Sequence, residues 1–326
     1  MTIIKRRALL TGTAAALAAP SVVRAQAGYP DKTVRMMVPF PPGQAADTFA
    51  RLMAERLTAR WKQQVVVENK GGGAGIPAME QVAKAPPDGY FLAFGTSGTI
   101  GINPSFMKGL MTYDPLTDFA PCSSVFLVPL IMVAHLSHPA KDIADLIARA
   151  KAEPGKLGYA SAGVGSSQHL SMELFKARAG ADIAHIPYKG SAPAMQDLLA
   201  GHVTLMMDSV VSALPHLRSG KIKPLGVTTA KRAPLLPDVP PIGDTVKGFD
   251  AAGWGGILAP ARTPKPIVEK ISADLRAEIA IPEVEKKMIE LGGIPHPTTP
   301  EEHTAFIKAE IEKWSEVVRV SGAKPD

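Results

Sequence analysis

The sequence predicts an α/β fold of two lobes, with two mostly parallel sheets flanked by helices and a ligand cleft between the lobes. Three observations point there. The chain has 326 residues, enough to bury two separate cores. Short β-rich apolar runs alternate with amphipathic helical stretches, the pattern of βαβ units. Loops of small or polar residues follow four of the strands, at the ends where open parallel sheets receive ligands.

Residues 33–40 are apolar and β-rich, as in a buried strand. A loop over 41–46 follows, and Asp47 opens a helix whose Phe49, Leu52, Met53 and Leu57, with the stem of Arg56, share one face. Residues 64–68 form the second strand. The glycine loop 71–75 then leads into a helix to Lys84, with Pro77 in its first turn. Pro86-Pro-Asp-Gly89 is a turn before a third strand over 90–94, whose loop is Gly95-Thr-Ser-Gly-Thr99. Residues 125–134 read as a strand leaving the first lobe, and 142–151 as an amphipathic helix.

A strand over 156–162, the loop 163–167 and a helix over 168–178 come next, then a strand over 185–188 and a helix over 194–200. The strand 202–207 ends at Asp208 and Ser209. Residues 222–228 are a return strand, 232–241 a proline-rich connector and 254–260 a further strand. Helices over 266–279, 282–291 and 300–321 close the chain, the last opening at Thr299-Pro-Glu-Glu302. The division that follows is 28–130 for the first lobe, 131–228 for the second, and 229–326 for the return to the first.

Composition narrows the class. With 46% hydrophobic and 20% charged residues, the chain reads as an ordinary globular protein. Residues 1–27 read as an export signal peptide. Lys5, Arg6 and Arg7 form its charged start, residues 8–19 are apolar but too short to span a bilayer, and Ala25-Gln-Ala27 offers a small-x-small cleavage pattern. The paired arginines suit the twin-arginine and the general secretory (Sec) routes alike. Cleavage removes four basic residues and no acid, so the formal charge falls from +6 to +2 and no nucleic-acid partner is expected. No later apolar run reaches transmembrane length, so no stable membrane insertion is expected, and the expected location is the periplasm. Cys122, the single cysteine, leaves no intrachain disulfide and reads as a buried hydrophobe.

Four strand-end loops are the candidate site: 40–47, 96–99, 163–167 and 208–209, two from each lobe. The loop at 163–167 has no bulky side chains, so its amides and the start of the next helix can approach an anion closely. Ser166 and Ser167 add hydroxyls there; one serves as N-cap, which is compatible with ligand contact. Asp47 reads first as a brace for its own loop, because a carboxylate aimed at an anion repels it. Asp208 is open between contact with a ligand's far end and turn formation. Lys189 is open between ordinary loop composition and a source of positive potential. His169 reads as a packing histidine, and Phe40 as an apolar wall at the cleft mouth.

Other chemistries lack their residues. Gly73-Ala-Gly-Ile-Pro-Ala78 fits a dinucleotide fingerprint, but the match is isolated and Pro77 interrupts it. No Lys-Ser or Lys-Thr follows the glycines as a phosphate loop requires. The loop at 95–99 lacks the last glycine of a nucleophile elbow, and Ser161 lacks the glycine two residues before it. The eight histidines show no metal-ligand spacing. No cofactor, metal or catalytic residue is expected.

A set of short stretches carries a family pattern: Tyr29-Pro-Asp-Lys32, Val38-Pro-Phe-Pro-Pro-Gly43 with Asp47, Val67-Glu-Asn69, Pro87-Asp-Gly-Tyr90, Gly95-Thr-Ser-Gly98 and Ile102-Asn-Pro-Ser105. It continues with Tyr159-Ala-Ser-Ala-Gly163, Gly165-Ser-Ser167 with His169-Leu170, Ile186-Pro-Tyr-Lys-Gly190, and Val239-Pro240. In their order and spacing, the chain resembles the periplasmic solute-binding receptors of tripartite tricarboxylate transporters, the Bug family, over essentially its mature length.

The resemblance implies a type II periplasmic-binding-protein-like fold that closes on a small carboxylate. It implies capture by backbone amides, hydroxyls and ordered waters, without an arginine clamp. Carried onto this chain, the resemblance names Phe40, Pro41, Gly43, Gln44, Ala45, Ser97, Thr99, Gly163, Ser166 and Ser167, with Asp47 beside them and Asp208 at the ligand's far end. Gln44 stands where glycine is common and Ser209 where asparagine is frequent; both bear on the ligand more than on the fold.

The partners expected are a small mono- or dicarboxylate or related organic acid and the membrane transporter subunits, with the chain itself a monomer. Two rivals stay open. An exported hydrolase or lyase using Ser97 or Ser166 needs a histidine ring bonded to one of those hydroxyls. A carboxylate sensor would bind a membrane signalling protein in a ligand-dependent way.

Overall fold

The computed structural model describes residues 28–325, and the export peptide read in residues 1–27 lies outside them. β1 (Val34–Val38) is followed by α1 (Ala45–Trp61), which lays Phe49, Met53 and Leu57 into the same core as Val34, Met36 and Val38. β2 (Val65–Asn69), α2 (Ile76–Ala83) with Pro77 in its first turn, and β3 (Phe91–Thr96), buried along its whole length, complete a βαβαβ unit. After β3 the expected simple loop is a π-helical turn, Ser97–Ile102, running into the short α3 (Asn103–Phe106).

β4 (Phe119–His135) begins well before the apolar run that marked it, because Pro121, Ser123 and Ser124 belong to it. Then come α4 (Ile143–Ala152), β5 (Gly158–Ser161), α5 (Ser167–Ala179), β6 (Ala184–Pro187), α6 (Ser191–Ala200) and β7 (Leu205–Ser209). α7 (Val210–Arg218), absent from the sequence reading, contains Pro215 and precedes β8 (Ile222–Val227). β9 (Ala252–Pro260), α8 (Lys265–Ile279), α9 (Pro282–Glu290), the two-residue β10 (Ile294–Pro295) and α10 (Pro300–Ser321) finish the chain. Thr299 and Glu302 form a reciprocal capping box at the start of α10.

The strands lie in the order β2-β1-β3-β9-β4-β7-β5-β6, with β8 and β10 also on β4. The parallel pairing read from the sequence holds for β1 with β2 and β3, and for β5 with β6 and β7. The strands between these two sets pair antiparallel: β3 with β9, and β4 with β7, β8, β9 and β10. The cause is β4, which crosses from one half of the molecule to the other instead of returning through a helix. Its residues up to Pro129 pair with β9, and from Leu130 onward it pairs with β7. Thr228 fastens this joint: its amide donates to the Leu130 carbonyl at 2.9 Å and its hydroxyl accepts the Leu130 amide at 3.0 Å.

Four apolar clusters fill the halves. Two contain β1, β3, α1 and α8 side chains; the other two contain those of β5, β7, α5 and α6. Residues 229–251, which the sequence reading returned to the first lobe, pack elsewhere. Ala233 and Val239 join the cluster of Met206 and Leu198, while Ile242, Val246 and Phe249 join that of Tyr159 and Leu170. Pro241 bridges to Val227. Ile102, Phe106, Trp314 and Val317 reach into this second half too, so α3 and the end of α10 brace it.

Candidate functional site

The carboxyl ends of the two parallel sets meet at the β4 joint. Thr96, the last residue of β3, pairs with Gly255 of β9, which pairs with Phe126 of β4; Ser209, the last of β7, pairs with Leu130. Four residues of strand separate these points, about 13 Å. All four predicted loops therefore leave the sheets on the joint side. The halves also touch directly: a Cβ on Gly165 would lie 2.7 Å from the Phe106 ring, and the Phe106 and His169 rings meet edge-on at 6.4 Å. A pocket of about 190 Å³ lies here, between Ala74, Asn103, Phe106 and Met107 on one side and Val164 and Gly165 on the other, with Pro325 at its border.

In the first half, Gly43 at φ +87° turns the exposed Pro41–Gln44 stretch into α1. Gln44 occupies the N-cap without donating or accepting a side-chain cap bond, so the amides of Ala45 and Ala46 have no partner among the described residues. Asp47 is buried and used up locally: its oxygens accept from the Gly43 amide at 2.9 Å, Asn69 Nδ2 at 2.9 Å and Arg51 Nε at 3.0 Å. Asn69 Nδ2 also donates to the Phe40 carbonyl at 3.0 Å. The Phe40 ring lies beside Gly98.

Thr99 is fully buried, and its hydroxyl closes a capping box with Thr96, so it shapes the turn. Tyr113 holds the Thr99 carbonyl at 2.5 Å. Ser97, by contrast, has a hydroxyl without a partner among the described residues, as do the amides of Ser97 and Gly98.

The second half shows a similar split. The amides of Gly163 and Gly165 are already taken, by Ser161 Oγ at 3.1 Å and His169 Nδ1 at 3.1 Å. Ser166 is the N-cap of α5: its Oγ accepts from the His169 amide at 3.2 Å and donates to the Gly163 carbonyl at 2.6 Å. Ser167 donates to Gln168 Oε1 at 3.2 Å. The amides left without a partner among the described residues are those of Val164, Ser167 and Gln168, at the head of α5. In the stretch read as an anion cup, the amides without a partner thus lie nearer the helix than its glycines.

Behind the loop, Ser161 Oγ is 2.7 Å from His185 Nε2, and the His185 and His169 rings stack at 4.0 Å. Burial, then His185 and Lys176, push His169 down to about 3, so its ring is neutral and Nδ1 stays an acceptor. Neither Ser97 nor Ser166 is bonded to a histidine ring among the described residues; Ser161, which is bonded to His185, is fully buried in the loop's brace. Asp208 is fully buried as well: Oδ1 accepts from the Ser191 hydroxyl and the Ser209 amide, each at 2.7 Å. Lys189 is exposed. Sequence reasoning missed Gln168, Ser191 and the His169–His185 pair; the glycine four residues before His169 was the available signal for the last.

Comparison with known proteins fits this arrangement. The family model described as the tripartite tricarboxylate transporter family receptor matches residues 49–322. A protein from the tcbD–tcbE intergenic region of a Pseudomonas sp. is 37% identical over 319 residues, 97% of this chain and 94% of that one. BugT of Bordetella pertussis is 36% identical over 91% of each chain. Among solved structures, an R. palustris protein with adipate is 38% identical with a TM-score of 0.82, covering 91% of this chain and 100% of that one. MatC from Rhodopseudomonas palustris with bound malate is 32% identical with a TM-score of 0.76, covering 89% of this chain and 100% of that one. With its two halves joined at β4 and its family model matched over most of its length, the chain belongs to the tripartite tricarboxylate transporter receptors, the TctC or Bug family.

Proposed function

We propose that the mature protein captures a small carboxylate between its halves in the periplasm and delivers it to a tripartite tricarboxylate-type transporter in the membrane. The observation that carries this reading is the set of unpartnered amides at the joint: Ala45 and Ala46 at α1, Ser97 and Gly98 after β3, and Val164, Ser167 and Gln168 at α5. Helix starts and free amides favour an anion without any cation nearby. That relatives hold adipate and malate supports a ligand of this class.

Closure about the β4 joint removes water from the site and strengthens each hydrogen bond made there. Phe40 walls the apolar part of the ligand, while Pro41, Gly43 and Gln44 shape the loop that α1 presents. Gly163 and Ser166 shape the facing loop, and Asp47 and Thr99 hold their turns. The first lobe comprises 28–129 with 252–326 and the second 130–251. Residues 1–27 direct export, and the receptor works as a monomer without a catalytic step. No helix among the described residues is long and apolar enough to cross a membrane.

A thermal-shift screen of mono- and dicarboxylates and amino acids tests the reading. A ligand at about 100 times its Kd stabilises the fold by about 2.7 kcal/mol, a shift of a few degrees. No shift with any of them overturns it.

A further inference from the structure

Asp208 has two unlike oxygens. Oδ1 is satisfied by Ser191 and Ser209, whereas Oδ2 is closed off from solvent and has no partner among the described residues. The groups around this carboxyl belong to the starts of three helices: Gln168 on α5, Ser191 on α6, and Ser209 and Ser212 on α7. Polar groups from three helix starts thus surround one carboxyl, and the positive end of a helix favours a negative charge beside it.

No cation is supplied by the elements packed around it. On α5, His169 is held by Gly165 and His185, and Glu173 by Tyr159 and Lys176. On α6, Asp197 is bonded to Tyr188 and His202. His216 and Arg218 lie in the last turn of α7, Lys189 is exposed in the loop before α6, and β4 presents Ile131.

We infer that Asp208 receives the far carboxylate of a dicarboxylate as a neutral acid, so that capture of the dianion takes up one proton. The inference rests on the receptor reading above. Two carboxyl groups at a site without a cation are held together only when they share a proton, here an O–H donated from Oδ2 to the ligand oxygen. The proton comes from bulk water and returns to it on release. Burial already moves Asp208 above the ordinary aspartate value, against the hydrogen bonds from Ser191 and the Ser209 amide and the nearby polar groups of Ser212 and Gln168, which favour the anion. Gln168 and Ser191 are part-exposed and linked at 3.4 Å, so in this proposal the ligand approaches the carboxyl from their side.

Titration calorimetry with a panel of dicarboxylates including malate and adipate, from about pH 6.5 to 8.5 in buffers of low and high ionisation enthalpy, reads the proton directly. The expected result is uptake of about one proton per ligand and a Kd that tightens by up to about tenfold per pH unit on acidification. Asp208→Asn, neutral at every pH, should abolish the uptake and tighten alkaline binding by about tenfold. Ser191→Ala removes a donor to the anion and should move the pH profile upward, a check that does not depend on altering Asp208. Dicarboxylate binding without proton exchange overturns this inference alone, as does capture of an amino acid that Asp208→Asn abolishes. Absence of binding by every carboxylate at every pH overturns the receptor reading with it.

Discussion

Asp47 carries a negative charge in the first turn of α1, the helix proposed to receive an anion, and its bonds resolve the conflict. Three donors, from Gly43, Asn69 and Arg51, leave its oxygens no free direction. Burial alone raises its pKa, but the bonds from Arg51, the Gly43 amide and Asn69 outweigh it and hold the carboxyl below the ordinary aspartate value. A depressed folded value means the stabilisation is complete above about pH 4 and is lost as acid takes the group through its folded value. Asp47→Asn replaces one of two acceptors with a donor facing donors, so a cost of about 1–3 kcal/mol is expected in urea unfolding at neutral pH, shrinking in acid. The bracing role was legible, since Asp47 stands four residues after a glycine in a loop. The partner Asn69 was not, because β2 reaches it only through the pairing with β1.

The 163–167 segment works as one element with the start of α5. Ser166 as N-cap could be read from the chain, but not that both glycine amides turn inward to Ser161 and His169. That inward turn leaves the amides of Val164, Ser167 and Gln168 without a partner among the described residues, and in the proposed receptor His169 positions these donors. His169→Asn keeps an acceptor near the Nδ1 position and should hold carboxylate affinity within about threefold, whereas His169→Leu strands the Gly165 amide and should weaken it by about tenfold. Equal losses in both variants, measured by calorimetry beside unaltered unfolding curves, would reduce the histidine to packing. Elements with clear local signals, such as the capped α10 and the apolar, β-rich β1, were predicted where they lie. α7 was missed because Pro215 argues against a helix in isolation; it sits near the end, where packing of Val210, Ala213 and Leu214 holds the turn. β10, two residues long, has no pattern of its own.

For the molecule as a whole, the fold class and two-lobed plan were legible because strand and helix periods are local. The antiparallel centre was not, because register between β3 and β9 or β4 and β7 depends on residues far apart in sequence. The same limit hid the destination of residues 229–251, a connector by composition whose Ile242, Val246 and Phe249 are anchored in the second half. The continuity of β4 through Pro129 and Leu130 has a mechanical result. Because its ladder with β9 hands over directly to its ladder with β7, the halves can rock about this strand without severing it. In a deuterium-labelling time course, the backbone protons of Leu130, Ile131 and Thr228 should therefore stay equally slow with and without malate or adipate, while those of Val164, Ser167 and Gln168 slow down on loading. Faster labelling at the strand than at those tips would mean that the axle itself gives way.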